Sequence, residues 1–418
     1  MYRLTNLARV AALGAVLALG TSCSQTRDVI SAPPALVPNN PMFASYVAIG
    51  NSITAGFQSN GINDSTQKVA YPRLLATSMN TAYRYPSLAM PGCGAPIANT
   101  QTGALVATGV PAGAAQLPCY GRTVAADTNE ILNNVAVPGA RVLDPASVTT
   151  VASNTLTQIF LKGKSQVQQA LRAQPTFASV WIGNNDVLQA GVTGFLTPVA
   201  GVSPGIVSTQ PQFQASYDSL ISQLTTGAPG LKGVLIGVVQ VSGVPVLSSG
   251  DTISKMSATN RALLNAATGK TVTISPECTG SASLVNLPLL IPQIKSGAHP
   301  AIIACAKGIY PAPVGDIFVL DAAEQATLGA AINGYNTYIA AKAAAIGFAY
   351  FDPNPTLATQ RANNTIPRLP NFSSATATFG TLISLDGIHP SEAGQKLIAN
   401  AIIPAINTKY GTTLPLAP

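Results

Sequence analysis

Short apolar runs that stop on glycine or proline recur along this chain, and that punctuation constrains the fold more than any other feature. They fall at 46–50 (YVAIG), 134–139 (NVAVPG), 178–183 (ASVWIG), 233–239 (GVLIGVV) and 348–352 (FAYFD). Helix-like stretches lie between them. YPRLLATSM has Pro72 at a favoured helix-start position. The stretch from Thr155 to Ala173 carries Leu156, Ile159, Phe160, Val167 and Leu171, and the one from Ala322 to Ile346 is rich in alanine. Strands alternating with helices predict a parallel sheet of about five strands with helices on both faces, a three-layer α/β/α sandwich. Such sheets bind ligands beyond the carboxyl ends of their strands, where the Gly/Asn/Ser-rich segments fall here.

Two segments break the alternation. Residues 91–130 and roughly 250–320 are rich in Pro, Gly and Ser, and each holds two cysteines. They read as disulfide-stapled insertions rather than separate domains. No internal repeat is present.

The first 23 residues, MYRLTNLARVAALGAVLALGTSC, have a basic start, an apolar run from Val10 to Leu19 and small residues before Cys23. That run is about half the length that spans a bilayer, which predicts an export signal over 1–22 rather than an anchor helix. Leu19-Gly20-Thr21-Ser22-Cys23 resembles a bacterial lipobox, with Gly20 where the pattern prefers leucine. The resemblance implies lipidation of Cys23 and a membrane partner; simple secretion is the alternative. Ser24 resembles the outer-membrane form of the signal. The polar, Pro-rich residues up to 43 suit a flexible tether, and 44–418 remain as one domain.

The 418 residues suffice for a substantial core, and only 9% are charged. The +7 formal charge falls to +5 without Arg3 and Arg9. With no Lys/Arg cluster, nucleic acid is not an expected partner. Setting Cys23 aside leaves Cys93, Cys119, Cys278 and Cys305, an even number suited to disulfides in an exported chain. Three pairings are possible; the local one, Cys93–Cys119 with Cys278–Cys305, is preferred. Each bridge would close a loop of about 25 residues and stabilise by roughly 3 kcal/mol. With only two histidines and no closely spaced cysteines, a metal site is not expected.

The stretch YVAIGNSITAGF at 46–57 ends an apolar strand on Gly50-Asn51-Ser52. Ser52 is either a helix N-cap or a nucleophile. Near the other end, SLDGIHPSEAGQKLIANAII places Asp386 three residues before His389, with Pro390 at a helix start. At that spacing a carboxylate can accept the ring Nδ1–H and leave Nε2 to take a proton, as acyl transfer by serine requires. Such chemistry also needs donors aimed at the developing oxyanion. Gly139 in VPGAR can present its backbone N–H, and Asn185 in IGNNDV carries a side-chain amide.

Gly50-Asn51-Ser52-Ile53, Gly139, Gly183-x-Asn185-Asp186 and Asp386-x-x-His389 resemble, in order, the four sequence blocks of the SGNH (GDSL) hydrolases. The resemblance spans about 44–408 and implies a flavodoxin-like fold and hydrolysis of carboxylic esters. Ser52 would be nucleophile, His389 general base and acid, and Asp386 its orienting carboxylate. The N–H groups of Ser52 and Gly139 and the side chain of Asn185 would form the oxyanion hole. No cofactor is implied, and a monomer is expected. Asn51 stands where the family usually has aspartate, and Gly92 in MPGCG competes with Gly139 for the glycine role. An α/β-hydrolase would show Gly-x-Ser-x-Gly, but Thr54 holds the last place. His299, Asp186, Trp181, Tyr335 and Tyr338 read as structural. A non-catalytic binding or assembly lipoprotein on the same fold is the competing class. Lipid acyl esters, acetylated polysaccharide and aryl esters all stay open as substrates.

Overall fold

Alternating side chains explain how the central sheet is built. A computed structural model of the chain describes residues 36–106, 119, 121–123, 130–147, 154–308 and 318–418. The apolar runs become strands β1 (Tyr46–Gly50), β2 (Phe177–Trp181) and β3 (Lys232–Ile236); further on, β9 (Ala349–Phe351) completes a parallel sheet in the order β1-β2-β3-β9. Tyr46 lies beside Phe177 and Gly50 beside Trp181, so β1 and β2 end level. The 134–139 run falls short of the strand expected there. It bridges β1 only between Ala48 and Asn134, although Val135 and Val137 donate to the carbonyls of Ala48 and Gly50 at 3.0 and 3.2 Å. Pro138 has no N–H with which to extend the ladder.

Successive strand residues face opposite layers. Val47, Ile49, Val180 and Leu235 pack with the helices Gln210–Gly227 and Ala322–Ile346. Tyr46, Ala48, Trp181 and Ile236 pack on the other side with the helices Tyr71–Met79 and Glu392–Tyr410. The helices start and stop as local chemistry dictates: Tyr71–Met79 opens on Pro72, and Asp321 and Glu324 form a capping box for Ala322–Ile346. The stretch 155–173 is not one helix. It divides into Thr155–Leu161 and Gln166–Arg172, because Lys162 and Gly163 turn left-handed and Ser165 caps the second piece.

The later insertion has its own small core. Strands β4 (Leu247–Ser249), β6 (Leu284–Asn286) and β8 (Val319–Leu320) pair antiparallel, while β5 (Thr273–Ile274) and β7 (Ile302–Ile303) pair in parallel. Around the Cys278–Cys305 disulfide gather Ile253, Leu264, Leu287, Leu290 and Ile294. His299 is buried in that loop, its Nδ1 2.8 Å from the carbonyl of Pro300. Cys93–Cys119 is the second disulfide, so both local pairings form. The Cys93 segment folds back on the loop after β1: Cys93 N–H donates to the Ile62 carbonyl, and Ile97 N–H to Ser59. Cys23 and the leader lie outside the described residues.

Candidate active site

Beyond the end of β1 the backbone must turn sharply, and the residues there are suited to it. A Cβ on Gly50 would lie 2.3 Å from Thr54 Oγ1 and 2.8 Å from the Trp181 carbonyl, so only glycine fits. The helix that follows, Ser52–Ala55, is a single turn capped by Asn51, whose side chain accepts the Ile53 N–H at 3.2 Å. Asn51 therefore takes the capping role, and Ser52 is left with its hydroxyl uncommitted to the helix. Two buried amides brace this turn: Gln166 Oε1 accepts from Gly50 N–H at 2.9 Å, and Gln395 Nε2 donates to the Ile53 carbonyl at 3.1 Å.

His389 and Asp386 arrive on a loop between residues 382 and 391. Ser384 N–H donates to the His389 carbonyl at 2.8 Å and Ser391 N–H to the Leu382 carbonyl at 3.0 Å, closing the loop. Ser391, not Pro390, caps the Glu392–Tyr410 helix, which sets His389 two residues before the cap. His389 Nε2 lies 2.8 Å from Ser52 Oγ, and its Nδ1 lies 2.8 Å from Asp386 Oδ2. The His389 ring also packs against Phe57, centroids 4.8 Å apart. The His389 and Asp386 side chains are largely buried, at 12% and 8% exposure.

The Asp386 carboxylate is densely solvated by protein. Oδ1 accepts the N–H groups of Ile388 and His389 and the Ser384 hydroxyl; Oδ2 also accepts the Asn60 N–H at 2.9 Å. Burial alone would raise its pKa, but the adjacent His389 and the hydrogen bonds from His389 and the Ile388 N–H outweigh it and hold the group at about 2. Asn60 is a contact that sequence spacing could not reveal. Ser384 also accepts the Ser59 N–H, which ties the 57–62 loop, and through it the Cys93 segment, to the acid.

Asn185 follows the end of β2 and donates through Nδ2 to the Ala140 carbonyl at 2.8 Å. An amide nitrogen carries two hydrogens, so one anchors the side chain and the other is available to a ligand. Ser52, Asn185 and His389 line the same cavity of about 110 Å³. Gly139 lies one residue before Ala140 with φ +82°, just after Val137, whose N–H donates to the Gly50 carbonyl, and it lines a neighbouring pocket with Asp186 and Asn154. Gly92 instead lies in the disulfide segment, where a Cβ would come within 2.3 Å of the Ile62 carbonyl.

Asp186 lies wholly inside, accepting from Val142 N–H and the Ser208 hydroxyl. Burial pushes its pKa up to about 6 against those two hydrogen bonds. It anchors the turn that carries Gly139. Trp181 packs edge-on with Tyr71, and Tyr335 stacks on Phe213, both within the core. Among the described residues no group of three His, Cys, Asp or Glu side chains could hold a metal ion.

Residues 46–402, which hold all of these positions, match a family model, GDSL-like Lipase/Acylhydrolase. The chain belongs to that family. As a GDSL-type protein it is a carboxylic ester hydrolase. None of the curated proteins matches it. Solved structures similar to this GDSL chain include a catalytic mutant of an acetylxylan esterase from Geobacillus stearothermophilus, at 11% identity and TM-score 0.38, covering 87% of this chain and 94% of that one. Another is an extracellular lipase from Streptomyces rimosus, at 14% identity and TM-score 0.33, covering 88% and 99%.

Proposed function

We propose that the chain is an exported, lipid-anchored serine esterase that cleaves esters of apolar acyl chains through an acyl-enzyme on Ser52. One observation carries the mechanism: Ser52 Oγ, His389 and Asp386 form a continuous hydrogen-bonded line with 2.8 Å at both joints. Ser52 Oγ attacks the ester carbonyl while His389 Nε2 takes its proton. Asp386, held ionised, faces the Nδ1–H and stabilises the imidazolium that forms. The N–H groups of Ser52 and Gly139 and the Asn185 amide receive the oxyanion, each donor contributing roughly 3 kcal/mol to the barrier reduction. His389 then protonates the leaving alkoxide, and water repeats the cycle on the acyl-enzyme.

The acyl side of the cavity is hydrocarbon. Ile53, Leu188, Val241, Leu357, Leu382 and Ile398 converge on it from separate elements. Apolar burial of a chain methylene is worth about 0.8 kcal/mol, so longer acyl groups gain where an acetyl group does not. Export and lipid attachment rest on the leader and on Cys23, and the Pro-rich residues that follow give the domain reach from a membrane.

The test is a panel of nitrophenyl esters from acetyl to decanoyl, assayed with the full chain and with Ser52→Ala. Rising kcat/KM with chain length, and no turnover in Ser52→Ala, is the expected outcome. Undiminished cleavage by Ser52→Ala would remove the mechanism, and a preference for acetyl esters would remove the acyl-chain specificity.

A further inference from the structure

We propose that Arg361 and Arg368 form a binding site for a phosphate-type oxyanion, separate from the ester-cleaving cavity and adjoining it across Leu357. Both arginines line a pocket of about 510 Å³, and Leu357 borders this pocket and the Ser52 cavity alike. Arg361 stands in the last turn of the helix Asn354–Ala362. Its Nη1 is shut off from solvent and meets no acceptor. Both side chains border that one pocket; burial, and then the charge of Arg368, hold the Arg361 pKa below the ordinary arginine value.

Several features separate this pocket from an ordinary surface arginine. Among the described residues no carboxylate lines it; its other polar side chains, Ser242, Ser249 and Thr252 among them, are neutral. Asp352, upstream of the helix, is occupied by the Asn354 backbone and side chain and does not reach the lining. The helix C-terminus favours one cation through its dipole, but it leaves Nη1 without an acceptor and gives no reason for a second arginine. A buried donor with no partner is costly, and two like charges compound the cost. An anion in the pocket offsets the repulsion between the two cations.

The donor count selects the class of anion. Two guanidinium groups offer planar pairs of N–H donors suited to bidentate contact, and the hydroxyls add more. A tetrahedral dianion has the oxygens and the charge to match them; a single carboxylate has two oxygens and half the charge. The occupant is therefore inorganic phosphate or the phosphate of a glycerol-linked headgroup.

This inference does not depend on the chemistry at Ser52, so the experiment is run on the full chain and on Ser52→Ala in parallel. Calorimetric titration at low ionic strength with inorganic phosphate, then with glycerol 3-phosphate, should give saturable binding at one site, equal in the two proteins. Arg361→Gln and Arg368→Gln should each weaken it by roughly tenfold or more, with Arg361→Lys weaker than the parent and stronger than Arg361→Gln. Cleavage of a short neutral nitrophenyl ester should be unchanged in all three. Tighter binding of glycerol 3-phosphate assigns the site to a lipid headgroup; equal binding assigns it to free phosphate. Arg368 is exposed, so Arg368→Gln remains informative if Arg361→Gln fails to fold. No saturable binding of either anion, or undiminished binding in Arg368→Gln, overturns the proposal.

Discussion

Asp386 holds His389 twice: its Oδ2 faces the ring Nδ1 at 2.8 Å, and its Oδ1 accepts the backbone N–H of the same residue at 2.8 Å. Ring and main chain are thereby fixed to one carboxylate, which sets both the tautomer and the direction of Nε2. Asp386→Asn should keep the loop but lose the tautomer, lowering kcat by roughly a thousandfold or more with little change in KM. Steady-state kinetics on a fast-reacting ester check this.

The same carboxylate makes a stability prediction with a definite sign. Its folded pKa of about 2 lies below the unfolded value of about 3.9. The ionised group therefore stabilises the fold by about 2 kcal/mol above pH 5, and that contribution is lost as pH falls from 4 to 2. Urea unfolding should show the parent ahead of Asp386→Asn at pH 6, with the gap narrowing towards pH 3.

Asp186 should behave the opposite way. Its folded pKa of about 6 exceeds the unfolded value, so ionisation costs stability as pH rises from 4 to 6. Asp186→Asn removes that slope. Unfolding free energies from urea titrations of parent and variant should differ more favourably for the variant at pH 7 than at pH 4.5, by about 2 kcal/mol. Parallel curves at the two pH values would contradict the raised pKa.

Asn185→Ala tests the oxyanion donor. The lost donor should cost about 10² to 10³ in kcat, while the Ala140 carbonyl loses only its anchoring partner. Single-turnover acylation rates separate this from slower product release.

Ile398 borders the cavity from the Glu392–Tyr410 helix and is only partly buried. Ile398→Trp should fill the acyl space. Against a decanoyl ester kcat/KM should fall by roughly tenfold or more, while acetyl ester cleavage changes far less.

The sequence disclosed what repeats locally. Short apolar runs stopped by glycine, proline or aspartate marked β1, β2, β3 and β9, and two histidines left little choice for the base. The Asp386–His389 spacing was equally legible, because three residues suffice for the contact. Contacts across hundreds of residues left no such mark: Asn60 meets Asp386 across 326 positions, and Gln395 braces the Ser52 turn across 342. The apolar cavity is assembled from five or more segments, none of them distinctive alone. Likewise, the break at Lys162 depended on Ser165 capping a new helix, which overrode a hydrophobic spacing continuous from Leu156 to Leu171. Asn51 shows a finer limit. Its Oδ1 caps the Ser52 turn, a role an aspartate oxygen also fills, so the departure from the usual residue leaves that capping bond in place.

The most direct measurement is intact-mass and peptide analysis after treatment with a fluorophosphonate. A single adduct on Ser52, absent in Ser52→Ala and formed far more slowly in Asp386→Asn, is the predicted result. An adduct on another serine, or full ester turnover by protein that cannot be labelled, would contradict the account.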